Sequence, residues 1–250
     1  LFIYLLPILF WSAPKLSSTE AYTITLGDGI QFDVYLVDIS QTEIKMYRNV
    51  GNGKTIHTIT EVHNFAKTKG ENLIFATNGG MYRPDLTPEG LYVENGKTFY
   101  PLNLEKRGRL EFMNFYNIPP NGVFYITKDN QANVVTSLEY LEIVKQQPIK
   151  YATQSGPLLF NNGVRNPHFK ASSTSKFVRT GVGITKQGKV MFAISHKPLN
   201  FFNFSRIFDF YGCQDALYLD GAISEMYLPE LGRLQTAQYY SSIIAVTHKK

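Results

Sequence analysis

The sequence predicts an α+β protein, a single domain of mostly antiparallel or mixed β-sheet with two or three helices. Of its 250 residues, 44% are hydrophobic, which is enough for one substantial core. The 16 tyrosines and 18 phenylalanines, with many valines, isoleucines and threonines, favour sheet because these side chains pack well on a pleated surface. Short apolar runs alternate with glycine-containing turns along most of the chain, a pattern typical of hairpins.

The first hundred residues predict strands and one helix. The predicted strands are 23–26, 32–39, 43–49, 73–77, 90–93 and 98–100. Turn residues at 27–29 and at Asn95-Gly96 mark two of the pairs as hairpins. Residues 60–69 predict a helix, since apolar side chains recur at helical spacing and Gly70 follows as a stop.

The rest of the chain continues this pattern. The predicted strands are 110–116, 122–127, 151–154, 157–160, 163–165, 178–185, 189–195, 216–219 and 242–247. Residues 137–144 predict a helix capped by Ser137, with acidic side chains in its early turns. Residues 203–212 predict a third helix because their apolar side chains fall on one face. The most polar stretch, 171–176, indicates a mobile loop.

Residues 1–11 are almost entirely apolar, too short a run to span a bilayer but typical of the centre of a signal peptide. We therefore expect residues 1–21 to be a truncated signal peptide, cleaved near Ala13 or Ala21, and 22–250 to be the domain. The alternative is a buried N-terminal strand or helix. The signal peptide predicts an exported protein, periplasmic, extracellular or at the cell envelope. No later segment has the length and apolarity of a transmembrane helix.

The net charge of +5 suits an anionic partner, whether nucleic acid, a membrane surface or a phosphate-bearing ligand. The basic residues are scattered rather than clustered, which argues against nucleic acid. The single cysteine, Cys213, excludes an internal disulfide. Its apolar surroundings favour buried packing over a role as nucleophile.

Three apolar strands run directly into glycine-containing polar turns, at 75–82, 152–157 and 217–221. Glycine lets backbone N–H groups approach an anion closely, so these turns are candidate phosphate sites. The third turn presents Asp220 followed by Gly221. Asp-Gly is also a common turn dipeptide, so the local sequence leaves a catalytic carboxylate and an ordinary turn both open.

Six stretches together resemble the phosphodiester glycosidase family, which includes the lysosomal uncovering enzyme and exported bacterial proteins. They occur in the family's order, within about 32–245, at 76–82, 88–96, 121–124, 152–157, 179–184 and 212–221. The resemblance implies hydrolysis of a sugar-1-phosphodiester, acting on cell-envelope glycans or their fragments. It also implies a substrate pocket at the matching positions. The implied pocket residues are Asn78, Gly79, Gly80, Ser155, Gly156, Arg179, Asp220 and Gly221, and Ser224 beside them is a further candidate.

The chemistry of that substrate suggests a role for each charged residue. An arginine grips a phosphodiester well, so Arg179, with Gly181 and Gly183 beside it, is the predicted phosphate binder; a solvated strand charge is the alternative. Asp220 is predicted to stabilise the oxocarbenium-like transition state or to activate water. The candidates for a second acidic group are Glu89, Glu225 and His196. The alternative for each of them is a solvated side chain with no role in catalysis.

No cofactor is predicted, because the spacing of histidines and carboxylates matches no zinc or calcium pattern. Ser155 lacks an assigned His-Asp pair, so a serine hydrolase is disfavoured. Ala222, Glu225 and His196 depart from the family pattern. They motivate the alternative of a non-catalytic envelope or glycan-binding protein, while cleavage of the P–O bond is a third possibility. The sequence leaves the sugar, the aglycone and the oligomeric state open.

Overall fold

A computed structural model describes residues 19–51, 53–105, 118–220 and 223–249. Within these residues it has sixteen strands in three antiparallel sheets and three α-helices, which confirms the α+β class. The predicted strand 110–116 and the residues Gly221 and Ala222 lie outside the described part. So does most of the predicted signal peptide, 1–21.

The bounds of the elements in chain order are as follows. The strands are β1 (Thr19–Thr25), β2 (Gln31–Val37), β3 (Ile44–Tyr47), β4 (Glu71–Asn78), β5 (Tyr92–Glu94), β6 (Lys97–Tyr100), β7 (Gly122–Thr127), β8 (Ala132–Thr136), β9 (Ile149–Ser155), β10 (Leu158–Asn161), β11 (Val164–Arg165), β12 (Thr180–Ile184), β13 (Val190–Ser195), β14 (Asp215–Tyr218), β15 (Met226–Tyr227) and β16 (Ile243–Lys249). The helices are α1 (Ile59–Thr68), α2 (Ser137–Gln146) and α3 (Phe201–Phe210), with a short 3-10 helix at Pro229–Leu231.

The three sheets differ in size, but all of them are antiparallel. The first sheet has seven strands in the order β1-β2-β13-β12-β14-β10-β11. The second has four, β15-β4-β16-β3, and the third has five, β6-β5-β9-β7-β8. Neighbours pair antiparallel throughout, as expected for a chain built largely from hairpins.

One apolar core lies between the three sheets. Phe75 of the second sheet and Phe124 of the third both pack on Phe192 of the first, with ring centroids 4.9 and 6.1 Å apart. The opposite face of each sheet is covered by one helix: α3 on the first sheet, α1 on the second and α2 on the third. Strands buried on both faces explain why many of the predicted strands read as continuous apolar runs rather than as alternating ones.

Helix α3 lies unusually close to the first sheet because β12 carries two glycines. A Cβ on Gly181 would stand 3.0 Å from Phe208 Cζ, and one on Gly183 would stand 2.8 Å from Phe208 Cδ1. Only glycine leaves room for this ring. The two glycines therefore serve helix packing, which differs from the expectation that they allow a ligand to approach.

Most predicted helices and strands are confirmed, and the differences have local causes. The cap of α2 is Thr136 rather than Ser137, since the Thr136 hydroxyl and the Glu139 carboxylate form a capping box. Helix α3 begins at Phe201, two residues earlier than predicted, because Asn200 caps it through a bond from the Asn203 N–H, 2.9 Å. The strand β8 was not predicted; only Val134 in it is fully buried, so it lacks an apolar signature.

No helix in the described ranges is long and apolar enough to cross a membrane.

Cys213 is predicted to be unreactive in the folded protein. Its side chain is 3% exposed, and burial, with the nearby charge of Asp215, raises the pKa of the thiol to about 12. We expect no adduct with iodoacetamide in mildly alkaline buffer and complete reaction in denaturant, measured by mass spectrometry. A Gln187→Cys variant, with its new thiol in an exposed turn, is the positive control; equal labelling of both sites in the native state would contradict the buried assignment.

Candidate active site

The three glycine-rich strand ends meet at one end of the shared core. Strand β4 ends at Asn78, β9 ends at Ser155, and Asp220 follows the end of β14. Direct bonds join them: Thr180 Oγ1 lies 2.9 Å from Asn78 Oδ1 and 3.1 Å from the Asp220 carbonyl oxygen. The Ser155 hydroxyl donates to the carbonyl oxygen of Leu219. Antiparallel strands from three sheets thus deliver polar groups to one place.

Asn78 is the most connected of these polar residues. Its side chain is buried, and Oδ1 accepts bonds from the Thr180 hydroxyl and from the backbone N–H of Glu225, the latter at 3.3 Å. Nδ2 donates to the carbonyl oxygen of Gly79, 3.3 Å away. The carboxamide therefore fixes the start of β12 and the segment that follows Asp220.

The glycines after Asn78 are required by close packing. A Cβ on Gly79 would lie 2.2 Å from Ser242 Oγ, and one on Gly80 would lie 2.2 Å from the Gln154 carbonyl oxygen. The N–H of Gly79 donates to the Ser242 carbonyl at 2.8 Å, and that of Gly80 to Thr153 Oγ1 at 3.2 Å. Both donors are thus engaged within the chain, and a substrate contact at these glycines stays a prediction.

Gly156 and Ser224 also lie at this end of the fold. A Cβ on Gly156 would stand 2.2 Å from Asn121 Oδ1, so this turn too depends on close packing. The Ser224 hydroxyl donates to the Asp220 carbonyl oxygen and lies 3.3 Å from Thr180 Oγ1. Ser224 therefore supports the turn that presents Asp220.

The Asp220 carboxylate is half-buried among three tyrosines. Burial raises the pKa of Tyr82, Tyr218 and Tyr240, and in each case the negative charge of Asp220 raises it further. Three phenols with raised pKa values therefore lie near a half-buried carboxylate. Titratable groups with shifted pKa values gather at catalytic sites more often than elsewhere.

Glu225 lies beside Asp220 rather than in a solvated turn. Its side chain is 7% exposed, and Tyr240 donates its hydroxyl to Oε2 at 3.0 Å. Burial, followed by the charge of Glu225, raises the pKa of Tyr240. The solvated alternative from the sequence is therefore wrong for Glu225. Tyr240, which gave no signal in the sequence, is the residue that holds it.

Arg179 is completely buried, so the alternative of a solvated strand charge is wrong for it as well. Its guanidinium carbon lies 3.8 Å from the ring centroid of Phe201, with Tyr218 and Phe177 at 5.1 and 5.4 Å. Nε donates to the Leu199 carbonyl oxygen at 2.7 Å. Burial lowers the pKa of the guanidinium, which Tyr218 and Asp220 partly oppose. Within the described residues, Nη1 has no hydrogen-bond partner.

The polar segment 171–176 lies over Arg179. Arg179 Nη2 donates to the carbonyl oxygen of Ser175 at 3.2 Å. Asn200 Nδ2 donates to the carbonyls of Ala171 and Ser173 at 2.9 and 3.0 Å. The segment has no helix or strand, in agreement with the predicted loop, and these three bonds hold it against the guanidinium.

Glu89 is buried, which rules out the solvated alternative for this residue too. Its Oε2 pairs with Nε of Arg83 at 3.3 Å, and its backbone N–H donates to the Met81 carbonyl at 2.9 Å. Arg83 itself is half exposed. The loop that leaves Asn78 therefore carries a buried carboxylate and a partly exposed cation. Arg83 was not among the predicted site residues, although it directly follows Tyr82, the last residue of the stretch 76–82.

His196 belongs to a different group of side chains. Its Nε2 lies 2.9 Å from Oδ1 of Asp33, which also accepts the Thr23 hydroxyl at 2.6 Å, while Arg233 Nε donates to Oδ2. Burial alone raises the pKa of Asp33, but the bonds from Thr23, His196 and Arg233 outweigh it and hold the pKa below its usual value. A lone carboxylate within the apolar strand β2 was the available signal for Asp33; Arg233 had none.

Over the ranges that the structure covers, no three side chains of His, Cys, Asp or Glu gather as a metal-binding group.

Comparisons with known proteins identify a family, a relative and structures of similar fold. The phosphodiester glycosidase family model matches residues 71–245. The uncharacterised protein YigE of Escherichia coli (strain K12) is 35% identical over 195 residues, covering 78% of this chain and 73% of that protein. The zebrafish N-acetylglucosamine-1-phosphodiester alpha-N-acetylglucosaminidase catalytic domain, auto-inhibited by its pro-peptide, superposes with a TM-score of 0.59 at 17% identity, covering 93% and 82% of the two chains. A hypothetical protein from Synechocystis gives 0.57 at 11% identity, covering 91% and 61%.

Replacing Asn78 should weaken both the fold and the site. Asn78→Ala leaves the buried Glu225 N–H and the Thr180 hydroxyl without their acceptor, which should cost about 1–3 kcal/mol of unfolding free energy. Chemical denaturation measures this loss. Asn72→Ala, an exposed residue at the far end of β4, is the matched control and should change stability little. Equal effects of the two substitutions would contradict the role given to the carboxamide.

Proposed function

Because the chain belongs to the phosphodiester glycosidase family, we propose that it hydrolyses sugar-1-phosphodiesters, releasing the free sugar and a phosphomonoester. The observation that carries the proposal is the meeting of Asn78, Thr180 and Asp220 at the end of the core, with the Arg179 guanidinium close enough to respond to the Asp220 charge. This arrangement offers an anionic group for the sugar and a cationic group for the phosphate.

In the proposed reaction, a water oxygen bonds to the anomeric carbon while the bond from that carbon to the phosphate oxygen breaks. The electron pair of the broken bond stays on the phosphate. Positive charge builds on the sugar ring in the transition state, and the Asp220 carboxylate stabilises it or accepts the proton of the water. A phosphate leaves readily, since the second pKa of a phosphomonoester is about 6, so a strong general acid is not required.

Arg179 is proposed to bind the phosphate. Water screens the charge of a buried guanidinium less than that of an exposed one. Charge-assisted hydrogen bonds to phosphate are among the stronger polar contacts in proteins. Nη1 remains available for such a bond among the described residues. The guanidinium is fully covered, so the segment 171–176 must move before phosphate reaches it.

The second acidic group is proposed to be Glu225 or Glu89. Glu225 accepts the Tyr240 hydroxyl, and the charges of Glu225 and Asp220 both raise the pKa of that phenol, which supports a role for Glu225 near Asp220. Glu89 lies on the loop after Asn78 with Arg83 beside it. A carboxylate near the phosphate side can return a proton to the product, whereas one near the sugar can activate water.

Asp220→Asn tests the proposal. The variant keeps the shape of the side chain but removes its charge, so kcat on UDP-N-acetylglucosamine or a p-nitrophenyl sugar phosphodiester should fall at least about a hundredfold. Asp129→Asn, at an exposed turn, should retain full activity. Unchanged turnover in the Asp220 variant would remove Asp220 from the mechanism. Binding of anionic glycans by calorimetry, with no turnover by the wild type, would favour the non-catalytic alternative instead.

The same assay in oxygen-18 water distinguishes the two possible cleavages. Label in the released sugar indicates attack at the anomeric carbon, as proposed here. Label in the phosphate indicates P–O cleavage and a phosphodiesterase, an outcome that contradicts the roles given above to Asp220 and Arg179.

We also propose that the protein is exported, on the basis of the apolar residues 1–11. Cleavage near Ala13 would leave β1 whole, whereas cleavage at Ala21 would remove Thr19, which pairs with Val37. Export to the periplasm or envelope predicts a mature chain that begins shortly after Ala13. N-terminal sequencing of the protein from an envelope fraction tests this; an uncleaved chain found only in the cytosol would contradict it.

A further inference from the structure

Two basic side chains bind one buried carboxylate at the same end of the first sheet as the candidate active site. The Asp33 side chain is 4% exposed and binds Arg233 through Oδ2 and His196 through Oδ1. Both partners are partly exposed, 18% for Arg233 and 31% for His196. The carboxylate therefore holds an arginine and a histidine in place while each keeps a surface toward solvent.

The Arg233 guanidinium has donors to spare. Within the described residues, the hydrogen bonds of Arg233 to other side chains involve only Nε, which leaves its two terminal nitrogens. His196 uses Nε2 on Asp33, and its backbone N–H donates to the Gln31 carbonyl oxygen. Lys197 follows and is exposed. With Asp33 counted, the formal charge of this group is +1 with a neutral histidine and +2 with a protonated one.

The register of the first sheet sets the distance to the active site. Asp33 is opposite Ile194, and Ile194 is opposite Thr180, so the three residues form one row across β2, β13 and β12. Directly opposed residues of antiparallel strands project to the same face. Two strand spacings separate Asp33 from Thr180, a distance of about 10 Å. Asp220 and His196 likewise follow the ends of strands that are two places apart.

We propose that Arg233 and His196 form a second anion-binding site, for a phosphate or other anionic group that the substrate carries beyond the scissile phosphodiester. The inference rests on the proposed function, since it names the class of substrate for that reaction. The substrate is then a glycan or glycosyl ester with anionic groups repeated along it, rather than an ester with a single charge.

The geometry suits this use. An arginine already held by a carboxylate loses little side-chain freedom when it binds a second anion, so more of the contact energy remains for affinity. The other role open to Arg233 is purely structural, since it joins the segment after β15 to the first sheet. A structural role affects every substrate alike, whereas an anion site affects only substrates that carry the second charge.

A matched pair of substrates separates these two roles. Both are phosphodiesters of N-acetylglucosamine 1-phosphate with hexanediol, and in one of them the far hydroxyl carries a second phosphate. We expect wild-type kcat/KM to be about tenfold higher for the ester that carries the second phosphate, mainly through KM, because a charge-assisted contact of this kind is worth about one factor of ten. Arg233→Gln should reduce the ratio of the two values to about one.

Two further variants serve as controls. Arg206→Gln breaks the Arg206–Asp28 ion pair, which lies away from the site on helix α3, and should keep the wild-type ratio. Arg233→Lys keeps the charge and should restore part of the preference. A wild-type ratio near one, or an Arg233→Gln variant that slows both esters equally, overturns the inference. If neither ester is hydrolysed, the proposed function fails, and calorimetric titration with hexanediol bisphosphate still decides the second site: wild-type binding lost in Arg233→Gln supports it, and equal binding or none overturns it.

Discussion

The Asn78 carboxamide is the contact on which the candidate active site depends. It ends β4 of the second sheet, yet its oxygen accepts bonds from Thr180 in the first sheet and from the Glu225 backbone. Among the residues that the structure describes, no strand ladder joins these two sheets, so side-chain bonds help to hold their ends in register. Thr180 in turn lies within 3.1 Å of the Asp220 carbonyl oxygen. The position of the Asp220 carboxylate therefore follows from one buried amide.

The shared apolar core makes such bonds effective. Phe75, Phe124 and Phe192 fill the space between the sheets and exclude water from the region below the strand ends. Hydrogen bonds in a medium of low dielectric constant are electrostatically stronger, and an unpaired polar group there is costly. A polar cluster at the end of this core must accordingly be almost fully bonded internally. That is why the N–H groups of Gly79 and Gly80 already have acceptors.

The sequence predicted the hairpins, helix α1 and the position of Asp220 because these depend on neighbouring residues: apolar runs, turn glycines and helix stops. It did not predict contacts between distant residues. Arg233 and Asp33 are 200 positions apart, and nothing near Arg233 marks it as a partner. Gly181 and Gly183 illustrate the same limit, since their role became evident only when the Phe208 ring was placed over them. Glycine in a strand indicates that another group packs closely against the backbone, but the neighbouring residues do not identify that group.

Arg179 and Asp220 together relate the fold to the proposed chemistry. A fully buried cation is costly unless charge or hydrogen bonds compensate it, and here the described partners are aromatic faces and backbone carbonyls rather than a carboxylate in direct contact. Aromatic faces attract a cation without neutralising its charge, so the guanidinium can still bind an anion. In the proposed transition state the phosphate is negative and the sugar is positive. A site that holds a guanidinium among aromatic rings and a carboxylate at the same end of the core is electrostatically complementary to that distribution of charge.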